Sequence, residues 1–161
     1  MSCLRKVIAI MTSSAILSVE DSNKRLPLVR MIARDAIHST RTIQNHRQEV
    51  RELEDAIAAA ENGSQSSGDV SEFDAARINV LNKLRETIQV EEEMVSRCVQ
   101  EMSQVGARLV DPASGLVEFE STLDGQSVSL SWQFDEPEVA HWRSPDEDRT
   151  TRNPLQPSHQ L

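Results

Sequence analysis

The chain has 161 residues, with 17 Lys and Arg against 26 Asp and Glu, and a formal net charge of −9. An excess of carboxylates repels phosphate backbones, so the composition argues against nucleic-acid binding. Aromatic residues make up only 3% and tyrosine is absent, which favours an elongated helical protein over a compact core rich in aromatic rings.

The N-terminal residues allow several interpretations. Arg5 and Lys6 precede a short apolar run, Val7 to Met11, which has the outline of a signal peptide. The run is interrupted by hydroxyl residues and is far shorter than a membrane span. We therefore expect no membrane association, and we predict that residues 1–16 are a disordered extension or that the true start is Met11.

The two cysteines, Cys3 and Cys98, are too few and too far apart in sequence for a disulfide framework. Cys98 falls in an apolar helical stripe, where its default role is that of a small buried hydrophobe. This usage indicates a reducing compartment, most simply the cytoplasm.

Helices dominate the first two thirds of the chain. Ser18 is suited to cap a helix whose first turn contains Glu20 and Asp21. Because Pro27 lacks an amide donor and disfavours helical geometry at the residue before it, we predict a short helix at 18–26 and a second at 27–62. The second helix has an apolar stripe at helical spacing, formed by Ile43, Val50, Leu53, Ile57 and Ala60.

A Gly- and Ser-rich loop around Gly63 separates this helix from a further helix predicted at 69–106, capped by Asp69. The seam of that helix advances in alternating steps of three and four: Leu81, Leu84, Ile88, Glu91, Val95, Cys98, Met102 and Val105. Glu91 interrupts the seam, and three roles are open to it: it fixes the register, faces a basic residue such as Arg47, or marks the point where the seam opens. The two long stripes predict an antiparallel, coiled-coil-like α-helical hairpin, and a seam of only two helices favours self-association.

The last third changes to a period of two. Two strands within residues 116–134 flank Asp124-Gly125, a dipeptide typical of a tight type I′ hairpin. Pairing outward from this turn places the apolar residues on one face: Val117, Phe119, Val128, Leu130 and Trp132. The polar residues fall on the other face, and a shift of one residue would destroy this separation. We predict a two-stranded β-hairpin, a single domain over 17–142, and an irregular tail at 143–161.

The chain resembles a bacterial family known as domain of unknown function 2203. The matching stretches are 17–23, 26–30, 106–112, 115–119, 124–125, 131–132 and 136–139, with Trp142, Asp146, Arg152, Pro154 and Leu155. The chain departs from the family pattern at His141-Trp142-Arg143, where members typically read Tyr-Trp-His, and at 147–151, where they carry a run containing Gly and Phe. The resemblance implies a fold and a bacterial cytoplasmic setting but no established activity.

Candidate site residues cluster after the hairpin. Glu138 and His141 have the i, i+3 spacing of carboxylate-bridged metal sites, and Asp146 lies nearby, although neither long helix repeats the motif. Trp132 and Trp142 either line a groove or anchor the hairpin to the helices, and the second reading is favoured because large aromatics are mainly core residues. The full candidate surface is Trp132, Glu136, Glu138, His141, Trp142, Asp146 and Arg152.

The sequence contains neither a nucleophile elbow nor a phosphate-binding glycine loop. The leading hypothesis is therefore a non-enzymatic structural or protein-interaction module that self-associates or binds a protein partner, without a cofactor. The alternative is a small-ligand or metal-binding protein that uses the segment from Trp132 to Asp146.

Overall fold

A computed structural model describes residues 16–63 and 72–156. It contains two long helices followed by five strands: α1 (Val19–Gly63), α2 (Glu72–Gln104), β1 (Arg108–Asp111), β2 (Leu116–Leu123), β3 (Gln126–Trp132), β4 (His141–Arg143) and β5 (Asn153–Pro154). The predicted extension before residue 16 and the predicted cap at Asp69 lie outside the described residues. No helix within the two described ranges is long and apolar enough to cross a membrane.

The predicted break at Pro27 is wrong, because α1 runs continuously through it for 45 residues. Ser18 caps the helix as expected, and its Oγ accepts a hydrogen bond of 3.0 Å from the Asp21 amide. An internal proline costs about 3 kcal/mol. Leu26 and Val29, on either side of Pro27, are both buried. Each contributes roughly 1.5–3 kcal/mol on burial, which offsets the lost hydrogen bond.

The helices α1 and α2 pack antiparallel along the predicted seams. Arg47 forms a salt bridge with Glu92 at 2.6 Å, and Arg85 forms one with Glu54 at 2.7 Å. From the first bridge to the second, α1 advances by seven residues while α2 goes back by seven, as expected for antiparallel helices. Of the three roles open to Glu91, a pairing with Arg47 is not the one observed, because Arg47 bonds to the neighbouring Glu92. In α2 the seam is buried at Leu81, Cys98 and Met102, and Cys98 is a free buried thiol.

The two helices differ in length, since α2 has 33 residues. The additional N-terminal part of α1 packs against the sheet, where it buries Leu26, Val29, Ile32, Ala33 and Ala36. The helical hairpin therefore has a base that shares its core with the sheet and a distal part that projects beyond it.

The sheet is antiparallel, with its strands in sequence order from β1 to β5. Every predicted cross-strand pair of the hairpin is confirmed, including Val117 with Trp132 and Phe119 with Leu130. Positive φ values at Asp124 (51°) and Gly125 (78°) agree with the predicted type I′ turn.

The prediction of only two strands is wrong. β1, β4 and β5 each have two to four residues, too short for the alternation that revealed β2 and β3. The predicted tail at 143–161 and the domain end at 142 need the same correction, because Arg143 lies in β4 and β5 follows at Asn153. Leu155 also packs against the core, and its amide donates to the Ala140 carbonyl at 2.8 Å.

The alternation of the strands gives the sheet two faces. The inner face packs on α1 and α2 through fully buried residues that include Val117, Phe119, Leu130 and Trp132. The outer face carries polar residues, yet Glu118, Ser131 and Arg143 on it are also buried. The segment 144–152 contacts these residues and covers the middle of the outer face.

Two glycines with positive φ provide a test of this packing. A Cβ on Gly115 would lie 2.8 Å from Ile37 Cδ1 and 2.9 Å from Phe134 Cβ, whereas a Cβ on Gly125 would meet nothing within 4 Å. Both alanine substitutions strain the backbone by about 1 kcal/mol, but only Gly115→Ala also overpacks the core, which adds roughly 1–3 kcal/mol. Urea unfolding should therefore show a clearly larger loss for Gly115→Ala, and equal losses would contradict this packing.

Candidate functional site

The outer face of the sheet is built around a buried carboxylate. Glu118, on β2, is only 3% exposed and receives hydrogen bonds from two arginines. Arg143 Nε and Nη2 bind its two carboxylate oxygens at 2.6 and 3.1 Å, in the two-pronged geometry that arginine favours. Arg108, which is opposite Glu118 in the β1–β2 register, supplies a third bond.

The burial of Glu118 and the positive charges around it have opposite effects on its pKa. Burial alone would raise the pKa of Glu118, but the hydrogen bonds and positive charges of Arg143 and Arg108 outweigh it, so its pKa is lowered below the ordinary value of 4.5. The bonds to Glu118 raise the pKa of Arg143 in turn. The carboxylate is therefore ionised over the whole range near neutrality.

A second ionic group lies at the end of β3. Glu136 Oε2 accepts hydrogen bonds from Arg152 at 2.6 Å and from the Gln133 amide at 2.9 Å, and Arg152 also donates to Ser131 Oγ. His141 Nδ1 lies 3.4 Å from Glu136 Oε1. Although burial acts to raise the pKa of Glu136, these donors lower it overall.

The loop between β3 and β4, which contains Glu136, is hydrogen-bonded to two side chains of α1 that the sequence did not single out, Arg30 and Asn23. Arg30 donates to the carbonyl oxygens of Phe134 and Glu136 at 3.1 and 3.0 Å, and its guanidinium lies 5.1 Å from the centre of the Trp132 ring. Asn23 Oδ1 accepts a hydrogen bond from the Val139 amide at 2.8 Å. Both residues fall in stretches that carry the family resemblance, which was the available signal.

The predicted site residues divide between core, ionic group and surface. Trp132 is fully buried and donates through Nε1 to the Glu136 carbonyl, so it anchors the hairpin and lines no groove. Trp142 is half-buried and packs against the same core. Glu136, His141 and Arg152 come together, but Glu138 and Asp146 are both exposed.

Glu138 and His141 do not lie on one helical turn, because His141 begins the strand β4. Within the described part of the chain, no three His, Cys, Asp or Glu residues are grouped so that they can hold a metal ion. The observed contacts of the segment Trp132 to Asp146 include hydrogen bonds that connect the sheet with α1.

A separate candidate surface lies on the distal part of the helical hairpin. In the two interhelix salt bridges, Arg85, Glu92 and Glu54 directly follow the seam residues Leu84, Glu91 and Leu53, and Arg47 follows His46, which lies three residues after Ile43 in the same stripe, so both bridges close the same flank of the seam. The opposite flank, which we call the open flank, consists of the residues that directly precede every second seam residue (Ile43, Val50 and Ile57 of α1, and Leu81, Ile88 and Val95 of α2): Thr42, Glu49, Ala56, Val80, Thr87 and Met94. Only one of these six side chains is charged.

Comparison with known proteins identifies a family match. Residues 16–155 match a family described as "Uncharacterized conserved protein (DUF2203)", which confirms the resemblance seen in the sequence. No curated protein and no solved structure shows significant similarity to the chain. The matched range includes both helices and all five strands.

Removal of the buried charge should be costly. Glu118→Gln leaves the guanidinium of Arg143 buried without its counter-charge, and we expect a loss of roughly 3 kcal/mol in the free energy of unfolding. Glu120→Gln is the matched control, since Glu120 lies on the same strand and face but is exposed, and it should change stability by less than about 0.5 kcal/mol. Chemical denaturation of both variants tests this, and similar losses would contradict a structural role for the buried charge.

The lowered pKa of Glu118 also predicts how stability depends on pH. A carboxyl whose pKa is lower when folded stabilises the fold above its ordinary pKa of 4.5, and this contribution is lost as the pH falls through the lower folded value. The free energy of unfolding should therefore fall more steeply below pH 4.5 in the wild type than in Glu118→Gln. Parallel slopes in a series of denaturation curves would show that another group controls the acid transition.

Proposed function

The chain belongs to the DUF2203 family, and we propose that it is a non-enzymatic interaction module that self-associates through the open flank of its helical hairpin. The observation that carries this proposal is the unequal closure of the helical seam. Salt bridges cover one flank, whereas the open flank offers mostly small and apolar side chains.

Burial along the seam supports the proposal. At the base of the hairpin the sheet completes the core, and Val29, Ala36 and Met102 are fully buried. In the distal part Leu81 is buried, but most seam residues are only half-buried, namely Val50, Leu53, Ile57, Leu84, Ile88 and Val95. Two helices cannot enclose a seam by themselves, and a second hairpin placed on the open flank would complete a four-helix arrangement.

The ionic groups of the sheet support a non-enzymatic role. The carboxylates of Glu118 and Glu136 are each bonded to arginine, and their lowered pKa values keep both ionised. A general acid or base near neutrality requires a pKa close to the working pH. The arrangement is that of a polar layer which holds strands and loop together.

A bacterial cytoplasmic setting is part of the proposal. The thiol of Cys98 is free and buried in the helical seam, and burial raises its pKa. A thiol in this state is an inert packing group and suits a reducing compartment.

Self-association is tested by the molar mass in solution. We expect the mass from light scattering or sedimentation to rise above that of the 18.0 kDa chain between about 1 and 100 µM, in the affinity range of modest interfaces. Val80→Glu places a charge on the open flank and should weaken association by at least about tenfold.

Val99→Glu is the matched control. Val80 and Val99 are both exposed valines of α2, at 48% and 43%, but Val99 directly follows the seam residue Cys98 and therefore lies on the flank that the salt bridges close. This control should associate like the wild type. A wild-type chain that is monomeric at 100 µM, or equal weakening by both variants, would refute the proposed interface.

A further inference from the structure

A cavity of about 500 Å³ opens on the outer face of the sheet, apart from the helical hairpin. Its walls come from β2 and β3, from Arg108, and from the segment that follows Arg143, and they include the apolar side chains of Ile16 and Val128. None of the residues predicted as a site from the sequence lines it. Its size is within the range of pockets that hold small molecules.

Three arginines line this cavity, Arg108, Arg143 and Arg149, and the carboxylates of Glu120 and Glu147 on its wall and of Glu118 beneath it balance their charge. Two guanidinium groups, of Arg108 and Arg143, share the single carboxylate of Glu118. Arg143 is 8% exposed, and its Nη1 donates to the carbonyl oxygens of Ser144 and Glu147, at 3.3 and 3.4 Å. The Arg108 side chain is 59% exposed, so its guanidinium is accessible from the cavity.

Further hydrogen-bond donors stand around the same cavity. Arg149 is exposed on its wall, and the hydroxyl groups of Ser127 and Ser129 line the β3 side. Guanidinium and hydroxyl donors that converge on one space match the acceptor oxygens of carboxylate and phosphate groups.

We propose that this cavity binds a small oxyanion, a carboxylate or phosphate group, between Arg108, Arg143 and Arg149. The guanidinium groups supply the positive charge, and the serine hydroxyl groups supply neutral donors. This function is independent of self-association, because the cavity shares no residue with the open flank.

Two acidic residues on the cavity wall restrict which anions it accepts. Glu147 already accepts hydrogen bonds through Oε2 from the Ser144 amide and from Asn153, so its charge is partly compensated. Glu120 is exposed and repels a simple anion. It favours instead an anion that also carries a donor, such as an ammonium or hydroxyl group.

The test uses the full chain labelled with ¹⁵N, titrated with sodium phosphate and, separately, with sodium acetate at constant ionic strength. We expect saturable shifts of the Ser127, Ser129 and Arg143 amide signals with at least one anion. Arg149→Gln should weaken binding at least about fivefold, and Glu120→Gln should strengthen it about threefold, since these variants remove an attractive and a repulsive charge.

Arg41→Gln is the matched control, because Arg41 is an exposed arginine of α1 that does not line the cavity. It should bind like the wild type. Tighter binding of phosphate identifies a phosphate site, and equal or tighter binding of acetate identifies a carboxylate site. The absence of saturable shifts with both anions, or equal weakening by Arg149→Gln and Arg41→Gln, overturns the proposal.

Discussion

The register set by the turn at Asp124 and Gly125 is the constraint on which the rest of the sheet depends. Both residues have positive φ, so the strands leave the turn with a twist that suits antiparallel pairing. From that point the period of two assigns every side chain of β2 and β3 to a face. The inner face receives the apolar residues that α1 and α2 cover, and the outer face receives Glu118 and Ser131. The helical packing and the ionic groups are thus two consequences of one register.

The same register shows which parts of the fold were predictable. Seven consecutive pairs between β2 and β3 follow from alternation and a two-residue turn, and the structure has them all. β1, β4 and β5 are held by tertiary contacts: Arg108 and Arg143 bind Glu118, and the Leu155 amide bonds to Ala140. A strand of three residues is too short to show a recognisable alternation of apolar and polar residues in the sequence. The continuity of α1 through Pro27 was likewise decided by the burial of Leu26 and Val29, which a local rule about proline does not consider.

The candidate site was foreseen only in part, for a related reason. Glu136, His141 and Arg152 were singled out as polar residues near one another in sequence, and they do meet. Glu118 was assigned to the polar face of a two-stranded hairpin, and a carboxylate on a solvent-exposed face needs no partner. Its burial depends on Arg143, which is 25 residues away and was regarded only as a departure from the family pattern. Charge pairs formed by tertiary packing leave no periodic signal in a sequence.

The two margins of the sheet have a consequence for how copies of the chain can meet. On one margin the Leu17 amide bonds to the Glu120 carbonyl, so the N-terminal segment occupies the edge of β2 beyond β1. On the other margin β5 has only two residues, and one of them is Pro154, which has no amide to donate. Within the described residues, neither margin offers a long row of free backbone groups to a strand of another molecule. Open-ended growth by strand addition is therefore disfavoured, and the self-association proposed for the helical hairpin can close at a small number of chains.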